Sequence, residues 1–248
     1  FIFGAAWAFI PAYLQAKRGS HVVITTIMFN FIASSLMVFL LVDVIRDMKQ
    51  MGPHTVALPE EIWFPTFKEF AALFGIKIRY SPLNISFLLA IAASFFVWFL
   101  VWKTKWGYEM RAVGHNMQAA IYAGISPYKN IIIAMCISGG LAGLLGINEI
   151  LGVHHKIVAG FPAGYGFTGI AVALMGRNHP IGIFPAAFLF GILYQGGSEV
   201  TFDMPNITRY MFVAVQGVII LFSGALENLF RPQIESFFVN RLNMKREI

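Results

Sequence analysis

Long apolar runs, each about the length of a membrane-spanning helix, limit how this chain can fold more than any other feature. Residues 83–102, LNISFLLAIAASFFVWFLVW, contain no charged side chain, and residues 22–45 contain only Asp43. A helix needs roughly 20 apolar residues to cross the hydrocarbon core of a bilayer, so these runs predict spanning helices. Further apolar segments lie at 1–14, 128–152, 166–177, 180–198 and 207–226.

The composition agrees with a bilayer as the solvent. Hydrophobic residues make up 58% of the chain and charged residues 12%, and the mean hydropathy is +0.70. A soluble domain has about 25% charged residues, so this chain lacks the polar surface that a soluble globule of its size needs. The predicted fold class is an all-α, polytopic membrane helix bundle with broken helices over 1–226, followed by a tail at 227–248.

The chain opens with FIFGAAWAFIPAYLQAKRG, which contains neither an initiating Met nor a charged leader. A secretory signal peptide begins with a positively charged region, so this stretch does not match one. We interpret it as the end of a membrane segment whose beginning is missing, and we therefore expect an N-terminally truncated chain.

Lysine and arginine residues concentrate in short loops and in the tail, which predicts the orientation. Cytoplasmic loops of membrane proteins carry an excess of Lys and Arg. The basic loops at 15–21 and 103–127 and the basic tail are therefore expected in the cytoplasm, and the long segment 46–82, whose charges nearly balance, outside. The short segment 166–177 ends in GRNHP, and we expect a broken half-helix that meets the next segment inside the protein.

The chain lacks the residues that several classes of function require. No basic stripe with interleaved aromatic residues occurs, so nucleic acid is not an expected partner. Cys136 is the only cysteine and lies in an apolar run, which excludes an intrachain disulfide and a thiolate-rich metal site. The adjacent His154 and His155 make a poor chelate. No H-E-x-x-H, P-loop or recognisable catalytic set occurs, so we expect no catalytic residue, metal or bound cofactor.

Four polar residues are expected near the middle of the membrane: Thr26, Asn30, Ser138 and Gln216. Polar side chains at this depth either hydrogen-bond to neighbouring helices or line the path of a solute. Interhelical hydrogen bonding is the favoured interpretation for Thr26, Ser138 and Gln216, whereas the two interpretations stand equally for Asn30. All four are candidates for a translocation path.

The polar segment RAVGHNMQAAIYAG, residues 111–124, separates two spans and is flanked by Lys105 and Lys129. Its alanines favour a slim helix, and Gly124 is suited to end that helix. An ordinary connector between spans is one interpretation, but such a connector needs far fewer residues. The sequence therefore predicts a compact cytoplasmic helix that another protein can approach closely, which indicates a docking site.

These features resemble the permease subunit of bacterial ABC importers in the branched-chain amino acid, simple sugar and nucleoside group. The resemblance rests on KRGSHVVITTIMFNFIA (17–33), GYEMRAVGHNMQAAIYAGI (107–125), ISGGLAGLLG (137–146) and GFTGIAVALMGRNHPIGIFPAAFLFGIL (166–193), which together span nearly the whole chain. Within the last segment, ALMGRNHP is more similar to nucleoside permeases of the basic membrane lipoprotein type than to ribose-type permeases, which tend to have a Gly-Gly pair there.

The resemblance implies a transporter subunit with several partners, and not an enzyme. Two permease subunits, identical or not, form a dimer in the bacterial plasma membrane, two cytoplasmic ATPase subunits bind the ATP, and an external binding protein, often a lipoprotein, delivers the solute. The ATPase-coupling role is carried over to Arg111, Gly114, Asn116, Gln118, Ala119, Ala120 and Gly124. Gln118 departs from the glutamate of the general importer pattern.

Two other functions compete with an importer permease for nucleosides or simple sugars. A secondary transporter or channel that works alone requires charged residues in the membrane for proton or sodium coupling. Only Glu149 and Glu199 are candidates, and both are predicted near the outer face, where Glu149 is expected to be solvated. A membrane-embedded enzyme requires a catalytic constellation, and none stands out.

Overall fold

The computed structural model describes residues 1–46, 52–68, 83–161, 164–204, 211–219 and 221–222. The predictions for the rest of the 46–82 segment, for part of the 207–226 span and for the 227–248 tail lie outside the described residues. The chain divides into two compact units, residues 1–163 and 164–248, and each is described by itself.

Unit 1 is helical over most of its described residues. Its helices are α1 (Ile2–Arg18), α2 (Val22–Phe39), α3 (Ser86–Lys103), α4 (Lys105–His115), α5 (Met117–Tyr122) and α6 (Pro127–Ile147). A π-helical turn, Leu40–Val44, continues α2, and a π-helical segment, Asn148–His154, continues α6. A short 3₁₀ turn, Glu60–Ile62, lies within the 46–82 segment.

Unit 2 begins with a short helix that is followed by a long one. α7 (Tyr165–Met175) has 11 residues, and α8 (Pro180–Asp203) has 24. Residues 211–219 are also helical. At 1.5 Å per residue, α7 is about 16 Å long, roughly half of the 30 Å hydrocarbon core. The half-helix predicted over 166–177 is therefore present.

The break between α7 and α8 is formed by the GRNHP sequence. Arg177 and Asn178 both adopt positive φ, 55° and 53°, and Pro180 starts α8. The chain then turns back, so that Val172 of α7 packs with Phe190 of α8 in the buried core of unit 2. The prediction that this half-helix meets the next segment within the protein is confirmed.

Four helices are long and apolar enough to cross a membrane among the described residues: Val22–Val44, Ser86–Lys103, Pro127–His154 and Pro180–Phe202. Little of their surface is buried within the single chain, as expected of helices whose apolar faces meet lipid or other membrane segments. The part of the chain that the structure describes contains no β-strand. The all-α membrane bundle predicted from the sequence is confirmed.

Helices α1 and α6 pack closely because small residues line their contact. A Cβ atom added at Gly4 would lie 2.3 Å from the carbonyl oxygen of Gly139, and one added at Gly139 would lie 2.3 Å from the Cβ of Ala8. Such close backbone approach lets membrane helices associate by packing alone. Gly146, the last but one residue of α6, has no atom within 4 Å of an added Cβ.

The short basic loops of unit 1 share one end of the bundle. α1 and α6 are antiparallel, since the Phe1 ring lies against Gly140, whereas Ala16 borders the same groove as Pro127. Ile121 of α5 borders that groove too. We call this end of unit 1, with the α1–α2 turn, α4, α5 and the start of α6, the basic end.

At the opposite end, residues 52–68 lie along residues 148–158, and we call these two segments together the cap. The backbone N–H of Leu58 donates to the carbonyl oxygen of His155 at 2.9 Å. The Trp63 ring stacks on the His155 ring with 3.9 Å between centroids. Further backbone hydrogen bonds join Thr55 to Ile157 and Phe64 to Leu151.

Candidate functional site

The corner between α3 and α4 fixes where the polar segment begins. The Thr104 hydroxyl donates to the carbonyl oxygen of Leu100 at 2.6 Å and accepts from the backbone N–H of Gly107 at 3.2 Å. Close approach requires glycine at 107, since a Cβ there would lie 2.1 Å from the Leu100 oxygen. Because these contacts define the corner, α4 starts in a fixed direction relative to α3.

The helix predicted within 111–124 is divided into two. Asn116 has an extended backbone, with φ −155° and ψ 107°, and its side-chain oxygen accepts from the backbone N–H of Ala119 at 3.1 Å. Asparagine is a strong N-cap and a weak helix former, so α4 ends there and α5 begins as a separate helix of six residues. Gly124 follows with φ 76°, as predicted for a glycine that ends a helix.

Most of the residues predicted to couple to an ATPase are exposed at the basic end: Arg111, Gly114, Asn116, Gln118, Ala119 and Gly124. Ala120 differs because it is buried. Exposed residues can contact a partner directly, whereas Ala120 packs inward and fixes the position of α5. The coupling role of these seven residues stays a prediction.

Large apolar side chains, which were not predicted from the sequence, project from this region. Tyr122 is 92% exposed, and Trp106, Tyr108, Ile121 and Tyr128 are exposed too. Large apolar side chains grouped on a surface mark sites of interaction. The available signal was the pair Ile121-Tyr122, directly after two alanines in a segment that is otherwise polar.

The basic end carries a strong excess of positive charge. Its charged residues are Lys17, Arg18, Lys103, Lys105, Arg111 and Lys129, against the carboxylate of Glu109. The cap has acidic and basic residues in closer balance: Glu60, Glu61 and Glu149 with Lys68 and Lys156. This is the distribution expected if the basic end faces the cytoplasm.

A groove of about 500 Å³ lies beside α5 at the basic end. Its lining includes Gly19 and Ser20 in the α1–α2 turn, and Met117 and Ile121 of α5. Helix α5 is therefore only partly packed against the spans.

The candidate path residues are not brought together in one cluster of hydrogen bonds. The Thr26 hydroxyl donates to the carbonyl oxygen of Val22 at 2.9 Å, within its own helix. Asn30 and Ser138 are exposed, and their side chains form no hydrogen bond with another described residue. Gln216 lies in unit 2 and is half-buried. The role of these four residues in a path stays a prediction.

A polar cluster at the cap was not predicted. The Asn84 side chain donates to the carbonyl oxygen of Gly152 at 3.2 Å. The Ser86 hydroxyl contacts the side-chain oxygens of Asn84 and Asn148. Asn84 is buried, so these hydrogen bonds offset the cost of removing its amide from water. The cluster fixes the start of α3 against the π-helical end of α6.

The expectation that Glu149 is solvated is wrong. Glu149 is buried, its carboxylate accepts from the Asn148 amide at 3.2 Å, and its Oε2 lies 3.7 Å from Nε2 of His154. The π-helical winding of Asn148–His154 moves these residues off the regular helical face, which periodicity does not reveal. No cluster of three or more His, Cys, Asp or Glu side chains that suits a metal occurs among the described residues.

The family model for the permease component of branched-chain amino acid transport systems matches residues 1–224. The chain belongs to this family. Family membership and the four span-length helices establish a multi-pass membrane protein, and the resemblance that the motifs predicted is confirmed.

Three curated relatives are similar over most of this chain. It is 36% identical over 220 residues to the guanosine ABC transporter permease protein NupP of Bacillus subtilis, covering 88% of this chain and 61% of the relative. It is 36% identical over 220 residues to the nucleoside ABC transporter permease protein NupB of Lactococcus lactis subsp. cremoris, covering 86% and 59%. It is 33% identical over 248 residues to the glucose ABC transporter permease protein TsgB13 of Haloferax volcanii, covering 97% and 63%.

The chain thus spans about three fifths of the length of these relatives. A second guanosine or nucleoside permease protein from each of the two bacteria, Bacillus subtilis and Lactococcus lactis, is also similar to it. No solved structure matches the chain.

Proposed function

We propose that this chain is a permease subunit of an ATP-driven ABC importer and forms the translocation path for a nucleoside. The proposal rests on α5. This short exposed helix lies at the basic end, between α4 and α6 in the chain and outside the four spans. A separate protein that changes shape can bind such a helix and displace the spans attached to it. The family and the nucleoside permease relatives support the same function.

ATP is bound and hydrolysed on separate ATPase subunits in the cytoplasm, so this chain is a transporter subunit without a cofactor of its own. Arg111, Gln118 and Tyr122, which are exposed on or beside α5, contact the ATPase. Closure of the ATPase pair moves α5, and α4 and α6 pass the movement into the bundle. The path then changes from outward-open to inward-open, and the solute crosses without covalent change past Asn30.

The cap faces the exterior and receives an external solute-binding lipoprotein. Its exposed Glu60, Glu61 and Ile62 form a surface of mixed chemistry, which suits a specific and reversible contact. A second permease subunit completes the path, and the paired permease relatives of the two bacteria favour a non-identical partner. The assembly lies in the bacterial plasma membrane, with the C-terminus of this chain in the cytoplasm.

A simple sugar is the second candidate solute, and the similarity to a glucose permease protein favours it. Nucleosides are preferred because two relatives with nucleoside or guanosine in their names have the higher identity. The ALMGRNHP sequence that resembles nucleoside permeases forms the end of α7 and the break before α8.

Uptake assays test both parts of the proposal. Cells that express the complete gene product should take up labelled guanosine, and deleting the gene for the ATPase should abolish uptake. Uptake that persists without the ATPase would contradict the ABC mechanism and favour a transporter that works alone. Excess unlabelled adenosine should compete with guanosine, and glucose should not. Competition by glucose, or uptake of labelled glucose instead of guanosine, would move the assignment to sugars.

A further inference from the structure

A buried amide joins the two helices that flank α5. Asn130, in the first turn of α6, is 4% exposed. Its Nδ2 donates to the carbonyl oxygen of Ser126 at 3.0 Å and to Oε2 of Glu109 at 3.4 Å. Glu109 lies in the middle of α4, and its side chain is 24% exposed. The Asn130–Glu109 contact therefore links α4 to α6, the helices on either side of α5.

A polar pair at this place has a desolvation cost that a pair of hydrophobic side chains would not have. Burying the Asn130 amide, against a Glu109 carboxylate that is only partly exposed, is unfavourable unless the amide is hydrogen-bonded. Two apolar residues would fill the same volume without that requirement. A directional hydrogen bond to a charged acceptor, however, holds two helices in one relative position more strictly than apolar contact does. The pair is thus suited to fixing the geometry of α4 and α6.

The connections of α5 show why such a link matters. On one side α5 joins α4 through the extended Asn116, and on the other it joins α6 through the turn that contains Gly124 at φ 76°. Neither connection is a continuous helix, so each can bend when α5 is displaced. With α4 and α6 bonded to each other, a displacement of α5 moves both helices together.

We propose that Asn130 is a positioning residue that, with Glu109, closes the α4–α5–α6 hairpin at its base, so that movement of α5 reaches the spans instead of being absorbed in its two turns. The inference rests on the proposed function, in which an ATPase displaces α5. Loss of the bond then lowers the amount of solute moved per ATP hydrolysed and leaves the docking of the ATPase intact.

The test compares single and double variants in the reconstituted complex of permease, ATPase and binding lipoprotein. Asn130→Ala and Glu109→Ala should each lower the solute moved per ATP about three- to tenfold, the factor for losing one hydrogen bond of ordinary strength, since the Asn130–Glu109 bond is 3.4 Å long. The double variant should be no worse than either single one, because both remove the same bond. Glu109→Gln, which keeps an acceptor oxygen, should retain most of the coupling.

Lys105→Ala is the matched control. Lys105 lies 4.0 Å from the same carboxylate, but its side chain is 86% exposed, and an exposed ion pair contributes little. Coupling that is equal in Asn130→Ala and Lys105→Ala, or effects that multiply in the double variant, would overturn the inference. So would a parallel loss of assembled complex, since that indicates a merely structural role. A wild-type permease that neither binds the ATPase nor responds to ATP would instead refute the proposed function.

Discussion

Adding one methyl group at Gly139 should separate α1 from α6. The new Cβ would lie 2.3 Å from the Cβ of Ala8 and 2.7 Å from the carbonyl oxygen of Gly4, whereas ordinary contact begins at 3.4 Å. The backbones therefore have to move apart by about 1 Å, because two of the atoms in contact belong to the main chain or are fixed to it. No rotation of a side chain can relieve the clash.

The size of the effect follows from a comparison with Gly146→Ala on the same helix, where an added Cβ meets nothing within 4 Å. Both substitutions gain the same helix propensity, about 0.5–1 kcal/mol, so this gain cancels between them. Overpacking at a close contact costs about 1–3 kcal/mol. We therefore expect Gly139→Ala to lower the free energy of unfolding by about 1–3 kcal/mol relative to Gly146→Ala.

Unfolding of the purified permease in mixed micelles of mild detergent and dodecyl sulfate measures this difference. Circular dichroism reports the helix content, and the midpoint of the Gly139→Ala transition should lie at a lower dodecyl sulfate fraction than that of Gly146→Ala. Gly4→Ala, whose Cβ would lie 2.3 Å from the Gly139 oxygen, should behave like Gly139→Ala. Equal midpoints for Gly139→Ala and Gly146→Ala would refute the close packing of α1 on α6.

Three further predictions concern coupling and the path. Gly124→Leu places a side chain at φ 76°, which costs about 1–2 kcal/mol, and it should lower uptake per ATP while membrane insertion is normal. Gly124→Asn tolerates this backbone and should retain more of the coupling. Full coupling in the Leu variant would contradict the role of the turn. Tyr122→Ala should weaken ATPase binding about 30-fold, which corresponds to the loss of roughly 2 kcal/mol typical of an aromatic contact buried in an interface. Phe202→Ala, which removes a similarly exposed side chain, is the control in the same binding titration. Asn30→Leu should lower nucleoside uptake at unchanged ATPase binding, and unchanged uptake kinetics would return Asn30 to a role in helix packing.

The spanning helices were predictable because lipid leaves the backbone few choices. A run such as 83–102 has to satisfy its own N–H and C=O groups within the membrane, and a helix does so. The structure has α3 there, Ser86–Lys103. The break at GRNHP was predictable for another reason. Pro180 suits the first position of a new helix, and Asn178 tolerates the positive φ that the turn before it requires. Proline alone does not mark a break, because Pro11 lies inside α1 and Pro185 inside α8.

The cap was not predictable from local patterns. Asn84 and Asn148 are 64 positions apart, and each alone is an ordinary polar residue at the end of an apolar run. Only the fold brings them within hydrogen-bonding distance, and the π-helical winding that buries Glu149 leaves no mark in the periodicity. The division at Asn116, by contrast, was available from the sequence, because asparagine before a new helical stretch is a common N-cap.

One helix extends from the basic end of unit 1 to the cap. Pro127–His154 forms a helix of 28 residues, which at 1.5 Å per residue is about 42 Å long. It starts beside α5 and is hydrogen-bonded to α4 through Asn130. It ends within the cap, where the carbonyl oxygen of Leu151 accepts from the backbone N–H of Phe64. A rotation or tilt of this one helix would therefore move both ends without a relay through other elements. Its contact with α1 at Gly139 lies between those ends, so the packing tested by Gly139→Ala also limits how freely the helix can move.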